Sequence, residues 1–408
     1  MPDSPVLHLH NSLRQAKERW AVFLGAGSSY DYGIPTMVEI ANILRDMIKA
    51  EKPEHGISDT TLRFLSHLCP ESDEASCWNI EDLLTRLYQL LDVTASPHSG
   101  FATVTTNVGE TQVDSKAIRL ASDELTRFMA LMCDLASQKL TTHGTGRVDY
   151  LSDFFVAMAT FGSSANRLIR LFTTNVDLCI EAAMVHLSQR SRSDRRPDIM
   201  LIDGFESSIL PTFNMGCYTR PSSKLSRCTL YYWKLHGSVD WTYAQSLKDA
   251  DREGKEGFSD QSIIVRRIDS KLWKDLADCG SLHAKTAAEE QPIVIFPTPA
   301  KYSQTYTFPY MDMFEAFRRT LEEVELLICA GTSFPDQHIL SAVRSFVERD
   351  NTLLFVVDPQ LTNENIRSLF GQSRSVQPVI SMGFENFVKE FKTLEAVTGG
   401  GSGAEKKA

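Results

Sequence analysis

Residues 20–36 read WAVFLGAGSSYDYGIPT. The apolar run 21–24, stopped by a glycine, is too short for a core helix and long enough for a buried strand. Gly25 and Gly27 let a backbone approach a pyrophosphate, and the helical pattern over residues 36–50 would aim its free amides at the negative charge. The third glycine, Gly33, falls too late for the G-x-G-x-x-G spacing of an ordinary dehydrogenase. Alone, the stretch reads equally well as a tight strand-to-helix turn.

Working outward, apolar runs bounded by turn residues recur at 168–172, 230–235, 292–296, 325–330, 352–357 and 376–380, and each predicts a strand. Gln377 and Pro378 interrupt the last, which suits only an edge. Helical patterns after the first run and at 335–349 predict βαβ crossovers, so the fold class is α/β with a Rossmann-like, mostly parallel sheet. The long interval between the first two runs has no convincing strand. Its helical patterns lie at 57–68, 79–91, 115–140 and 148–161. A nucleotide-binding domain of residues 1–50 and 162–397 is therefore expected, interrupted by a helical insertion at 51–161. The insertion's longest pattern carries Ile118, Leu125, Phe128, Met129, Met132 and Leu135 on one stripe, more often a core face than a partner site. Residues 188–228 and 244–290 read as polar, irregular excursions, and the tail 398–408, TGGGSGAEKKA, as a disordered linker.

Composition narrows the function. A net charge of −10 opposes direct binding of a phosphate backbone. The one basic concentration, Arg190, Arg192, Arg195 and Arg196, sits among Ser and Asp as a solvated loop would. No apolar run approaches the ~18 residues of a membrane span, and the N-terminus has no basic segment leading into an apolar one, so a cytoplasmic protein is expected. The chain has eight cysteines, none in C-x-x-C spacing, which predicts free core thiols and no structural zinc.

Four further segments bring chemistry to strand ends, where ligands of open α/β sheets sit. FTTNVD ends in Asn175 and Asp177, although Asp177 could equally cap the next helix. YYWKLHGSVDW puts His236 and Gly237 after a strand, where a histidine can serve as general base or simply as a buried structural group. ICAGTSFPD supplies a second small-residue turn, Gly331, Thr332 and Ser333. VVDP places Asp358 where an acidic residue can hold an adenosine ribose.

Taken together, GAGSSYDYGIPT, TTNVD, KLHGS and AGTSF resemble, in order and approximate spacing, the GAGxSxxxGIP, TQNID, HG and GTS motifs of the sirtuin family. The resemblance spans residues 20–384 apart from the insertions. IFPTPAKY with AGTSFPDQHI is most similar to the sirtuin-like domains of bacterial antiphage defence. It implies NAD as ligand, with the turn from Gly25 through Ala26 and Gly27 to Ser28 at the pyrophosphate and Ile34 near the nicotinamide. Asn175 would position water and ribose, Asp177 the carboxamide, and His236 would be the base. Gly331, Thr332 and Ser333 would meet the nucleotide, and Asp358 matches by its position at a strand end.

The chain departs from deacylating sirtuins in lacking their paired C-x-x-C zinc ribbon, and GSVDWTYAQS stands where FGE would offer an acyl-peptide groove. The expected activity is therefore NAD glycohydrolase, an antiphage effector that depletes NAD. The alternatives are an NAD-dependent deacylase or ADP-ribosyltransferase, and a non-catalytic sensor of NAD or ADP-ribose. The chain has no Walker A motif, so an ATP-driven step would come from a partner. The resemblance implies a HerA-type ATPase or an Argonaute, and a homo-oligomer is expected.

Overall fold

The computed structural model describes residues 4–68, 80–94, 101–106, 109–134, 149–161, 167–194, 199–206, 211–219, 228–244, 263–266, 292–295 and 307–399. The chain opens with α1 (Pro5–Ala16), β1 (Trp20–Leu24), α2 (Gly27–Tyr30), α3 (Met37–Ala50), α4 (Asp59–Leu68) and α5 (Ile80–Thr94). A hairpin, β2 (Phe101–Thr106) and β3 (Gly109–Asp114), leads to α6 (Ser115–Cys133) and α7 (Asp149–Met158). Next come β4 (Arg167–Thr173), α8 (Cys179–Asp194), β5 (Ile199–Ile202), β6 (Cys228–Lys234), β7 (Trp241–Ala244) and β8 (Ile263–Arg266). The last third runs through α9 (Tyr310–Glu323), β9 (Leu326–Ala330), α10 (Gln337–Val347), β10 (Leu353–Val357), α11 (Asn363–Phe370) and α12 (Phe384–Gly399).

Six strands form one parallel sheet in the order β10-β9-β1-β4-β6-β5. The central strand explains why both faces are covered. Trp20, Val22 and Leu24 join one core with α1, α7, α8 and α12, while Ala21 and Phe23 join a second core with α9, α10 and α11. Successive strand side chains point to opposite faces, so an uninterrupted apolar run can only be satisfied by two helical layers. Because every pairing is parallel, the carboxyl ends share one edge. The chain goes from β1 to β4 on one side and returns to β9 on the other, and this reversal opens a crevice beyond β1 and β9.

The helices between β1 and β4 build a third core. It joins Ile40 and Leu44 of α3, Leu62 and Leu65 of α4, Leu84 and Leu87 of α5, and Leu125 and Phe128 of α6. Val176, Leu178 and Val239 belong to it, so this bundle packs against the segments that leave β4 and β6. The packing thus groups α3 with the inserted helices and α7 with the sheet, whereas the sequence had divided them at residues 50 and 161. Ile118, Leu125, Phe128, Met129 and Met132 are all buried inside the bundle, so the stripe is a core face. Leu135, the last of the predicted stripe, lies outside the described residues.

Five expectations about strands need correction. The interval 51–161 is not wholly helical, because β2 and β3 pair antiparallel from Phe101↔Asp114 to Thr106↔Gly109. Of the run at 292–296, residues 292–295 stay outside the main sheet. Val294 makes an isolated antiparallel bridge to Gly237, and the Ile295 amide donates to the His236 carbonyl at 2.8 Å. The run at 376–380 is reduced to two bridges to β10, Leu354↔Val376 and Val357↔Ile380, on either side of Pro378, which has no amide to give. The polar stretch 188–228 holds an edge strand, β5, and the stretch 244–290 contributes β8, paired with β7. Helix α12 extends to Gly399, two residues into the predicted tail, and residues 400–408 lie outside the described residues. Among the described residues no helix is long and apolar enough to cross a membrane.

Candidate functional site

Two glycine turns meet at the β1–β9 crevice. The Gly25 amide donates to the Ala330 carbonyl and the Gly27 amide to the Gly331 carbonyl, each at 2.9 Å. A Cβ on Gly25 would lie 2.5 Å from the Gly331 carbonyl oxygen, and one on Gly331, whose φ is 65°, would lie 2.3 Å from the Ser28 nitrogen. No side chain fits at that separation, so these glycines first of all let the turns interlock.

The amides of Ser28 and Ser29 are likewise used within the turn, on the carbonyls of Gly25 and Ala26. The N-terminus of α3 carries a capping box. Thr36 Oγ1 accepts from the Glu39 amide and Glu39 Oε2 accepts from the Thr36 amide, so these two amides are satisfied by side chains of the helix's own first turn.

Asn175 is placed by a chain of hydrogen bonds from the end of β4. Thr173 Oγ1 donates to the Leu24 carbonyl at 2.7 Å and accepts from the Asn175 amide at 2.9 Å. Asn175 Nδ2 then faces the Gly25 carbonyl at 3.0 Å, Ser29 Oγ at 3.0 Å and Ser28 Oγ at 3.3 Å. A carbonyl can only accept, so the amide orientation is determined. Asn175 is 6% exposed, and its Oδ1 is buried without a hydrogen-bond partner. Such an atom costs about 1–3 kcal/mol until something donates to it.

On the neighbouring strand β6, Gly237 takes φ 77° and brings the chain so close to residue 293 that a Cβ would lie 2.1 Å from the Ile293 oxygen. This turn carries His236, whose Nε2 lies 3.0 Å from Asp336 Oδ2. Asp177 is buried after β4, with Oδ1 accepting the Cys179 amide at 2.9 Å, the capping contact that its position allowed. Beneath it Lys234, 2% exposed, donates to the carbonyls of Val176 and Asp177 and to Glu181 Oε1, the last at 3.1 Å. Burial pushes the Glu181 carboxyl up against the opposing pull of Lys234.

A cavity of about 150 Å³ collects most of the expected residues. Gly25, Ala26 and Ile34 line it from the first turn, Asn175, Asp177 and His236 from the next two strands, and Gly331, Thr332 and Ser333 from β9. Gly27 and Ser28 are not on its wall, and neither is Asp358, which directly follows β10. One oxygen of Asp358 accepts the Gln360 and Leu361 amides at 2.8 and 3.2 Å.

The cavity also has lining residues to which the sequence reading assigned no role: Glu81 of α5, Cys133 of α6 and Asp336. Helical periodicity tells which face of an inserted helix is buried, but not that its end reaches a distant strand edge. Asp336 lies within the quoted ICAGTSFPD, yet its partner is 100 positions away. Burial, reinforced by Asp177, pushes the Cys133 thiol far above its ordinary range, so it stays protonated rather than nucleophilic. Among the described residues no group of three or more His, Cys, Asp or Glu side chains could hold a metal ion.

No protein-family model and no curated protein sequence matches the chain. Among solved structures, a Sir2 enzyme is 12% identical with a TM-score of 0.39, covering 97% of this chain and 99% of that one. A Sir2 homologue in complex with ADP-ribose is 13% identical with a TM-score of 0.37, over 97% and 98% of the two chains. Sir2Tm bound to a propionylated peptide is 11% identical with a TM-score of 0.35, over 96% and 98%. At this level the superpositions decide neither activity nor ligand, and the parallel sheet with its cleft stands on its own hydrogen bonds.

Proposed function

We propose that the chain is an NAD glycohydrolase. Nicotinamide leaves the ribose carbon with the electrons of the glycosidic bond, water adds to that carbon, and the products are nicotinamide, ADP-ribose and a proton. The observation that carries this reading is the buried, unpartnered Oδ1 of Asn175 on the cavity shared with His236 and Asp177. That oxygen is held to accept an O–H from water or a ribose hydroxyl, and the imidazole is the group that takes up a proton. Asp177 accepts from the carboxamide, Ile34 packs against the nicotinamide, and Gly25 and Ala26 bring backbone to the pyrophosphate on a turn that Gly27 and Ser28 complete. Gly331, Thr332 and Ser333 meet the nucleotide, and Asp358 the adenosine ribose.

The sirtuin-like motifs support the same ligand, and the defence branch supports depletion of NAD as the cellular outcome. Control would then come from self-assembly or from a partner such as a HerA-type ATPase or an Argonaute.

One feature favours a second reading. A further cavity of about 460 Å³, lined by Tyr310, Met311 and Phe314 of α9, meets the first at His236 and Asp336. An acyl or ADP-ribosyl acceptor could enter there, and turnover would then depend on that acceptor.

His236→Ala and Asn175→Ala test the proposal through nicotinamide release from NAD alone. A roughly 10²- to 10⁴-fold loss in each is expected, with the fold retained by circular dichroism. Full turnover in both variants contradicts the assignment. Release only with an acyl peptide or protein acceptor selects the second reading, and tight binding without products selects a sensor.

A further inference from the structure

We propose that Asp336 is a positioning residue that sets the orientation and tautomer of His236, a role that rests on His236 acting as the base. Its two carboxylate oxygens do different work. Oδ1 caps α10, accepting from the His338 amide at 2.9 Å and the Ile339 amide at 3.5 Å, while Oδ2 lies 3.0 Å from His236 Nε2. Both side chains are more than nine-tenths buried, at 7% and 8% exposure. Helix α10 is itself anchored in the second core by Ile339, Leu340, Val343 and Phe346, so the carboxylate sits on a rigid element.

An ionised carboxylate only accepts. In the neutral imidazole the proton is therefore on Nε2, and Nδ1 is the nitrogen that takes a proton from a ligand. The tether has a second consequence. His236 stands on a wall common to two cavities, and the contact of its Nε2 with the Asp336 carboxylate limits rotation of the ring between them. Asp336 keeps it facing one way.

Asp336→Asn and Asp336→Ser test this, because both residues can still cap α10. An asparagine amide presents an N–H to Nε2 and so favours the opposite tautomer. The expected result is a roughly 10²- to 10⁴-fold fall in kcat, with KM for NAD within roughly threefold of wild type. Activity within roughly threefold of wild type in both folded variants overturns the proposal.

A long-range ¹H–¹⁵N spectrum reads the ring directly, with His236→Gln identifying its signal among the ten histidines by its loss. An Nε2–H ring in wild type that changes in Asp336→Asn supports the assignment, and an unchanged ring overturns it. This readout holds even if wild type fails to cleave NAD, an outcome that would sink the hydrolase reading separately.

Discussion

Asp358 holds the turn after β10 with one carboxylate oxygen, which leaves the other to meet an adenosine ribose. If it does, it accepts from a 2′-hydroxyl and repels a 2′-phosphate. Two unit charges ~4 Å apart at an effective dielectric of about 20 repel by about 4 kcal/mol, so even partial screening leaves more than a roughly tenfold preference for NAD over NADP. Equal kcat/KM for the two dinucleotides would mean that Asp358 points elsewhere. Residues of this kind were legible because they end apolar runs, and in a parallel sheet every such end lies on one edge. Asn175, Asp177 and His236 were found that way, and they do line one cavity. Asp336 and Lys234 were quoted without a role because their chemistry depends on partners far along the chain. Lys234 in particular reads as a polar break before Leu235, whereas its ammonium is fully engaged beneath the site.

At the scale of elements, Lys234 joins β6 to the loop after β4 and to α8 through Glu181. Removing one partner of a buried pair leaves an uncompensated charge, so Lys234→Met should destabilise the fold by about 3–5 kcal/mol. Adding Glu181→Gln should recover part of that loss. Denaturant titration of the single and double variants checks this, and an additive or greater loss in the double would show that the pair is not the coupling element. The elements that went unread share a physical cause. Strand β5, IMLI, is four residues long between polar segments, and its edge position gives it one sheet neighbour. Strands β2 and β3 carry threonine, glutamate and glutamine instead of an apolar run. Strands β1, β9 and β10, five residues each, were plain because burial on both faces demands continuous apolar sequence.

On the scale of the whole molecule, three cores meet around one cleft. Two of them sandwich the sheet and fix its carboxyl edge, and the third, from the inserted helices, packs on Val176, Leu178 and Val239. Glu81 and Cys133 of that bundle reach the cavity wall, so the inserted helices supply part of the lining of the cleft. No segment read alone could reveal this closure, because the periodicity of α5 and α6 specifies only a buried face. The central claim is that this cleft hydrolyses NAD without a second substrate. Incubating the purified full chain with NAD alone and separating the products tests it most directly. Nicotinamide and ADP-ribose appearing in equal amounts is the predicted result. Folded protein that binds NAD yet releases no nicotinamide, or releases it only when an acceptor is added, would contradict it.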